Sequence, residues 1–541
     1  MQEKNLKLKV LRIGPLPIIR QIIDKLDLRS KLLVALKNDD YVDAILILLT
    51  NVLIDREALY AVKEWARTYG LRLASGVEVG DDRIGRALDR LFEADRSTLQ
   101  TQVTLSLIKK FNLKMGQIHS DTTSVSFSGN YENQNKKALQ LKRGHSKDHR
   151  PDLKQLVYNL CVTNDGAVPV HFKSYDGNQS DDSIQLETWS SLRSLLQRPD
   201  FIYVGDSKLC VEKTLRKIDA EHGFFVTVVP RTRSEVKEFS KELHSGDVRW
   251  ERILRKKSRT SCEFDTFDVA VGHYQLREGF LIFWYRSSQK KKRDAFERKD
   301  RISRAVERLE NLNLKRLRGP KTEAAIQKKI DAILSKFAVQ AWISVDIKID
   351  IKEEFKALTR GKPTKETQYR CIKIKTPRLH IKKNVEAIAH SQMMDGLFPL
   401  ATNTKKNSLD VLQIYKYQPK IEKRHAFLKS TLNVAPVWLK KNTRIEALMF
   451  VEYLAQMVAA IIERNLRLAM KDKGIKNIYS LPEGRPSETP TFEQLHRLFE
   501  NRQRQELYEN DVAIKLFSEP LSLIQSQILN YLEIEESEYL A

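Results

Sequence analysis

Apolar residues change their spacing several times along the chain. Up to about residue 113 they recur at helical intervals. Ile18, Ile19, Ile22, Ile23 and Leu26 form one stripe; Ile84, Ala87, Leu88, Leu91 and Phe92 form another, behind Asp81 or Asp82 as a cap. Ser97 can cap a further helix. From Met115 the period becomes two. IHSDTTSVSFSG alternates, with Asp121, Thr123, Val125 and Phe127 on one face. LVYNLCVTN and VPVHFKSYD predict two more strands joined by an Asp165-Gly166 turn. A helix follows over about 182–196, then a short strand, FIYVGDS, ending at Asp206. A helix over about 211–220 and a strand in FFVTVVPR complete this stretch. Beyond about 236, strand-like runs (FDVAVGHYQL, GFLIFWYR, WISVDIKIDI, YRCIKIKT) surround a charged helical stretch over about 294–337. From about 393 the pattern is helical again. Ala447–Ile462 is apolar nearly all round, as a helix packed on a sheet would be.

Three strands, helix, strand, helix, strand is the order of an α/β fold with a ribonuclease-H-like mixed sheet, in which hairpin strands precede the α/β crossovers. The expected organisation is a helical N-terminal domain for DNA binding or dimerisation (1–113), then a first part of the core (114–235). A β-rich insertion with a charged helix (236–390) follows. A second part of the core (391–470) and a C-terminal helical region (471–541) complete the chain. A length of 541 residues is consistent with two to four domains.

Composition adds a partner. Lys and Arg number 94 against 70 Asp and Glu, giving a net charge of +24. A chain this basic points to a polyanion, most commonly nucleic acid. The cysteines (Cys161, Cys210, Cys262, Cys371) are scattered without a CxxC pair. That argues against a zinc ribbon or disulfide scaffold and fits a reducing compartment. The N-terminus has no signal-peptide core. The apolar stretch Tyr41–Ile54 is too short to span a membrane, and Ala447–Ile462 is interrupted by Glu452 and Gln456. Both predict buried helices, with no membrane partner.

Phosphodiester cleavage needs an activated nucleophile and a stabilised leaving oxygen. Two divalent metals about 4 Å apart provide both, held by hard carboxylate oxygens. Asp121 lies on the first strand of the expected sheet and Asp206 at the end of the fourth. These strands are neighbours in a ribonuclease-H-like order, so the two carboxylates would adjoin. Taken singly, an Asp where a strand meets a loop is more often a turn or cap residue. In YKYQPKIEKRHAFLKS, Glu422 and Lys429 are seven apart and share a helix face. By spacing alone an ordinary solvated helix with scattered charges is the better reading.

Tyr415, Gln418, Glu422 and Lys429 stand at the spacing of the Tyr-Arg-Glu-Lys signature, with Gln in place of Arg. HSDTTSVSFSG, GHSKDHRPDLKQ, FIYVGDS and DGLFPLATN match in kind as well. The sequence thus resembles the bacterial insertion-sequence transposases of the DDE type (the insertion-sequence-four-like superfamily), best over about 115–470. DDRIGRALDRLFEAD resembles the N-terminal helical region of one branch. The separations, 206 − 121 = 85 and 422 − 206 = 216 residues, leave room after the second Asp for an insertion similar to the family's. The resemblance implies a DNA transposase that hydrolyses transposon ends and then transfers the freed 3′-hydroxyl into target DNA. It implies two Mg²⁺ ions, with Mn²⁺ able to substitute, on Asp121, Asp206 and Glu422. It implies DNA contacts by Tyr415, Gln418 and Lys429, a homodimer on double-stranded DNA, and a bacterial cytoplasmic setting at the nucleoid. Gln418 can donate a hydrogen bond but lacks the charge and fork of arginine. That departure keeps open a catalytically silent DNA-binding derivative or repressor. A nuclease of the same core without strand transfer is the other alternative. Pro419 suits a first helical turn, which sets Tyr415 in the lead-in.

The run Lys290, Lys291, Lys292 and Arg293, followed by Arg298, Lys299, Arg301, Arg304 and Arg308, suits phosphate contact or a solvated helix equally, since acids are interleaved. Trp250 and Trp284 suit core packing. His119 and His145 suit a hydrogen-bond network near the first strand. His425 could sit near the site and is assigned no role.

Overall fold

The computed structural model describes residues 6–132, 134–147, 150–179, 181–257, 263–314, 323–358, 367–431, 439–480, 484–509 and 512–540. The chain divides into two compact units, Met1–Val228 with Thr402–Ala541, and Val229–Ala401.

The first unit opens with β1 (Leu6–Arg12), then α1 (Leu16–Lys25), α2 (Leu28–Leu36), α3 (Asp39–Ile54), α4 (Val62–Thr68), α5 (Asp81–Glu93) and α6 (Arg96–Phe111). The helices begin where the chain offers caps. Asn38 accepts the Tyr41 N–H, and Asp95, two residues before the expected Ser97, accepts that of Thr98. Gly80 caps α5, while Asp81 and Asp82 occupy its first turn, where negative charge suits the helix dipole.

Next come β2 (Gln117–Phe127), β3 (Lys154–Thr163), β4 (Pro169–Asp176), α7 (Asp181–Leu196), β5 (Ile202–Gly205), α8 (Glu212–Ala220) and β6 (Phe224–Val228). Within this unit the strands lie in the order β4-β3-β2-β5-β6. β2, β3 and β4 are antiparallel; β2, β5 and β6 are parallel. This mixed sheet is compatible with a ribonuclease-H-like fold. Gly166 turns the chain between β3 and β4 at φ +83°, and a Cβ there would meet the Arg464 Cβ at 2.8 Å.

The second unit holds α9 (Ser234–Ser245), β7 (Trp250–Lys257), β8 (Phe264–Ala270), β9 (Tyr274–Gln275), β10 (Leu281–Ser287), α10 (Ser288–Leu314), α11 (Glu323–Phe337), β11 (Ile343–Ala357), β12 (Tyr369–Lys383), α12 (Val385–Met393) and β13 (Leu397–Thr402). Its strands order as β13-β10-β8-β7, with β9 on β10. β11 and β12 form a separate two-stranded ribbon. The charged stretch expected as one helix is two. Ile302, Ala305 and Leu309 of α10 pack with Ile326, Ile330 and Leu334 of α11 and with the ribbon base at Ile343 and Leu379. The connection between the helices, 315–322, and Cys262 lie outside the described residues; Cys161 and Cys210 are buried and Cys371 is exposed.

The chain then re-enters the first unit through α13 (Ser408–Tyr415), α14 (Pro419–Ala426), a π-helical turn (Phe427–Thr431), α15 (Asn442–Asp472), α16 (Phe492–Phe499), β14 (Gln503–Glu509), β15 (Val512–Ser518) and α17 (Leu523–Leu532). Thr491 starts α16 with a reciprocal capping box to Gln494. α15 is the one helix among the described residues long and apolar enough to cross a membrane, and 89% of its most apolar window is buried inside the fold. α1, α3, α5, α16, α17 and β4 pack around it. Phe172 of β4 stacks on Tyr453 at 5.3 Å. The N-terminal helices therefore belong to the same compact unit as the sheet.

Both ends depart from the helical expectation. β1 pairs with β14, and β14 with β15, in a three-stranded sheet. In β1, Leu6, Leu8 and Val10 alternate with Lys7 and Lys9, a period of two. The strong helical stripe begins only at Leu16, which masked that short signal. β15 exposes Val512, Ile514 and Leu516, so no buried face marks it in the sequence.

Candidate active site

Asp121 lies on β2 and Asp206 just after β5, and these strands are parallel neighbours. On the parallel pair β2–β5, Gln117 lies beside Ile202, Ile118 beside Tyr203 and His119 beside Val204. Asp121 lies two residues further along β2 than His119, and Asp206 two residues beyond Val204, just past the end of β5. Asp206 follows the last residue of β5. Its carboxylate accepts the Lys208 N–H at 3.0 Å, and its carbonyl accepts the Thr227 hydroxyl at 2.7 Å, which straps this end of β5 to β6. Asp121 is partly buried, its side chain 19% exposed, and Oδ1 accepts the N–H of Thr122 at 2.8 Å.

Glu422 arrives on α14, which lies against β2. Pro419 is its first residue, as expected for a ring with fixed φ and no N–H. Glu422 occupies the first turn and is exposed. The helix is clamped by Arg424, whose guanidinium donates to the carbonyls of Ala167 (3.0 Å) and Gly166 (3.1 Å) and to Glu463 of α15 (2.7 Å). This ion pair is buried, with side chains 7% and 6% exposed. Burial alone would raise the Glu463 carboxyl, but the charges of Arg424 and Arg467 hold it below its ordinary value. After Ala426 the helix underwinds into the π turn that carries Lys429, so the seven-residue spacing from Glu422 does not follow a straight α-helical face.

Gln418 takes a different place from the one its signature position suggested. It is buried, 6% exposed. Its Oε1 pairs with His119 Nδ1 at 2.9 Å, and its Nε2 donates to the Ser120 carbonyl at 3.1 Å. Both ends of the amide are committed to β2, so this conformation ties the entry of α14 to the strand rather than offering a donor to DNA. Burial pushes the His119 imidazole down to about 4, against the opposing effect of Gln418, so the ring is neutral at physiological pH.

Tyr415 is the last residue of α13. Burial, then the negative charges of Asp206, Glu422 and Asp121, push its hydroxyl up to about 12. The hydroxyl keeps its proton at physiological pH. His425, one turn after Glu422, brings Nε2 to 3.6 Å from Asp121 Oδ2. Burial, then the charges of Lys147 and Lys429, lower its imidazole to about 3, so it too is neutral.

The carboxylate oxygens of Asp121, Asp206 and Glu422 are donors of the kind that suits a hard divalent cation. The Lys147 ammonium, 3.4 Å from Asp121 Oδ1, is a cation already standing at one of them. Among the described residues, no group of three or more His, Cys, Asp or Glu side chains is drawn close enough to hold a metal ion as it stands.

The second unit's basic run is largely neutralised internally. Lys290 pairs with Asp294, Lys292 with Glu263, Arg293 with Glu297, Arg298 with Asp395 and Arg304 with Asp300. Arg301 donates to the Phe337 carbonyl and lies over Trp342. Trp284 is core, stacked on Phe239 at 3.8 Å, and Trp250 carries Arg286 over its ring.

Sequence reasoning left Lys147, Arg424 and His425 without a role. Lys147 lay within GHSKDHRPDLKQ, and His425 one turn beyond Glu422; no local pattern marks Arg424, whose partners are distant in sequence.

No family model matches this sequence, and no curated protein matches it. Among solved structures the chain is similar to a cryo-EM structure of the piggyBac transposase synaptic complex with hairpin DNA. That match has 10% identity, covers 90% of this chain and 89% of that one, and has a TM-score of 0.26, a value that supports no conclusion about fold or function.

Proposed function

We propose that the chain is a DNA transposase of the DDE type, of the insertion-sequence kind with a Tyr-Arg-Glu-Lys signature. In this reading Asp121, Asp206 and Glu422 hold two Mg²⁺ ions, or Mn²⁺ in their place. The observation that carries it is that His425, one turn after Glu422 on α14, brings Nε2 to 3.6 Å from Asp121 Oδ2, while Asp206 follows β5, the parallel neighbour of the strand that bears Asp121.

Bound divalent ions would activate the attacking oxygen and neutralise the leaving one. The rest is the work of the chain's own groups. Asp121 on β2, Asp206 just after the neighbouring β5 and Glu422 on α14, which Arg424 clamps, would hold the ions. Tyr415, fully protonated, donates a hydrogen bond to a phosphate oxygen near the cut. Lys429 supplies positive charge on the same side. Neutral His425 stands beside Asp121 without adding charge. Water attacks at the transposon end, and the freed 3′-hydroxyl then attacks target DNA in the same site. The net charge of +24 favours duplex DNA. Joining two ends to one target favours a homodimer on DNA.

A second reading, a silent DNA-binding derivative, draws on Gln418, whose inward amide leaves the signature's arginine position without charge. Purified protein, Mg²⁺ and labelled DNA carrying the element's own ends separate the readings. Cleavage followed by joining supports the transposase. Binding without cleavage supports the silent derivative, and cleavage without joining a nuclease.

A further inference from the structure

The loop after β2 brings Lys147 back to the strand it left. The Lys147 N–H donates to Ser124 Oγ at 2.9 Å, which anchors the residue on β2. Its side chain reaches Asp121. Nζ donates to the Thr122 carbonyl, to Thr122 Oγ1 at 3.0 Å and to Asp121 Oδ1 at 3.4 Å. An ammonium has three donors and no acceptor, so these oxygens can use it in full. The lysine side chain is 35% exposed, so the cation closes one side of Asp121 without leaving water. His425 approaches the carboxylate's other oxygen.

Asp121 shares its surroundings with Asp206 and Glu422, and clustered carboxylates need compensating positive charge. The lysine supplies one such charge at Asp121. A divalent cation on Asp121 and the ammonium beside it repel one another, so the two compete for this carboxylate.

We infer that Lys147 is the resident counter-cation of Asp121: a positioning residue that fixes the carboxylate against Thr122 of β2 and gives way when a divalent ion binds. The inference rests on the reading of Asp121 as a metal ligand. It gives the GHSKDHRPDLKQ segment a role, that of folding a lysine onto the first catalytic strand.

Calorimetric titration of Mn²⁺ into the full-length protein without DNA tests it, using the wild type, Lys147→Met, Lys147→Arg and Asp121→Asn. Methionine keeps the backbone bond to Ser124 and most of the side-chain stem while removing the charge. Lys147→Met is expected to bind Mn²⁺ about two- to fivefold more tightly, the scale of a partly exposed ion pair. Lys147→Arg should stay near wild type, and Asp121→Asn should lose the site. Equal or weaker binding by Lys147→Met overturns the inference. Unchanged binding by Asp121→Asn, or none by the wild type, overturns the metal reading itself. Should Lys147→Met fail to fold, Lys147→Gln takes its place with the same expectation.

Discussion

An arginine at position 418 would have to bury its guanidinium between His119 and the Ser120 carbonyl, where the glutamine amide now fits. His119 is neutral and can offer that charge only one lone pair. Gln418→Arg, which restores the signature in letters, is therefore expected to lower stability by about 1–3 kcal/mol through overpacking and an under-paired buried charge. Urea unfolding checks this; a variant as stable as the wild type and tighter on DNA would contradict it. The residues also differ in how readily the sequence reveals them. Tyr415, Glu422 and Lys429 stand at a fixed local spacing, so a linear pattern finds them. Lys147 and Arg424 act through partners met only in three dimensions, Asp121 and Thr122 for one, Gly166, Ala167 and Glu463 for the other.

The position of Glu422 depends on how α14 is held. Arg424 is the main tie, because it joins the helix to the β3–β4 turn and to α15 at once. Arg424→Met leaves Glu463 buried with Arg467 as its remaining cation. The expected cost is about 3 kcal/mol, the lower end for breaking a buried pair. DNA cleavage should fall further than lost stability alone explains, because Glu422 is no longer aimed. Thermal unfolding beside a cleavage assay measures both; an unchanged melting temperature would contradict the clamp. The core strands and their order were legible because each is a half-buried or fully buried run bounded by turn residues, as at Asp165-Gly166. β1, β14 and β15 were not, because they form a small sheet whose apolar side chains are largely exposed and whose short alternation in β1 is overrun by the helical stripe from Leu16. The break between α10 and α11 was hidden by charge that continues across it.

Across the whole molecule, buried titratable groups set how stability depends on pH. Burial, then the charge of Lys173, lower His171 to about 4 against the pull of Glu187. The unfolded chain binds this proton from about pH 6.5 downward, so stability is full above that pH and falls toward pH 4. Glu452 in α15 has the opposite sign. Burial raises its carboxyl well above the ordinary range, partly offset by Arg56, and its Oε2 has no hydrogen-bond partner. Stability therefore declines as pH rises above about 4.5, where the unfolded carboxyl ionises and the folded one resists. Glu452→Gln should raise the urea midpoint at pH 7.5, with the gain vanishing toward pH 4. A gain independent of pH would contradict this assignment.

The chain's excess of positive charge is spread over its whole length, so binding to DNA should survive neutral changes at three acids. The most direct measurement of the proposed chemistry is therefore Mg²⁺-dependent cleavage of end-bearing DNA by Asp121→Asn, Asp206→Asn and Glu422→Gln, with duplex affinity measured in parallel. Each variant is expected to lose cleavage to background while binding DNA at least as tightly as the wild type. Cleavage that persists in any of the three would contradict the assignment of that carboxylate, and persistence in Asp121→Asn would contradict the site as a whole.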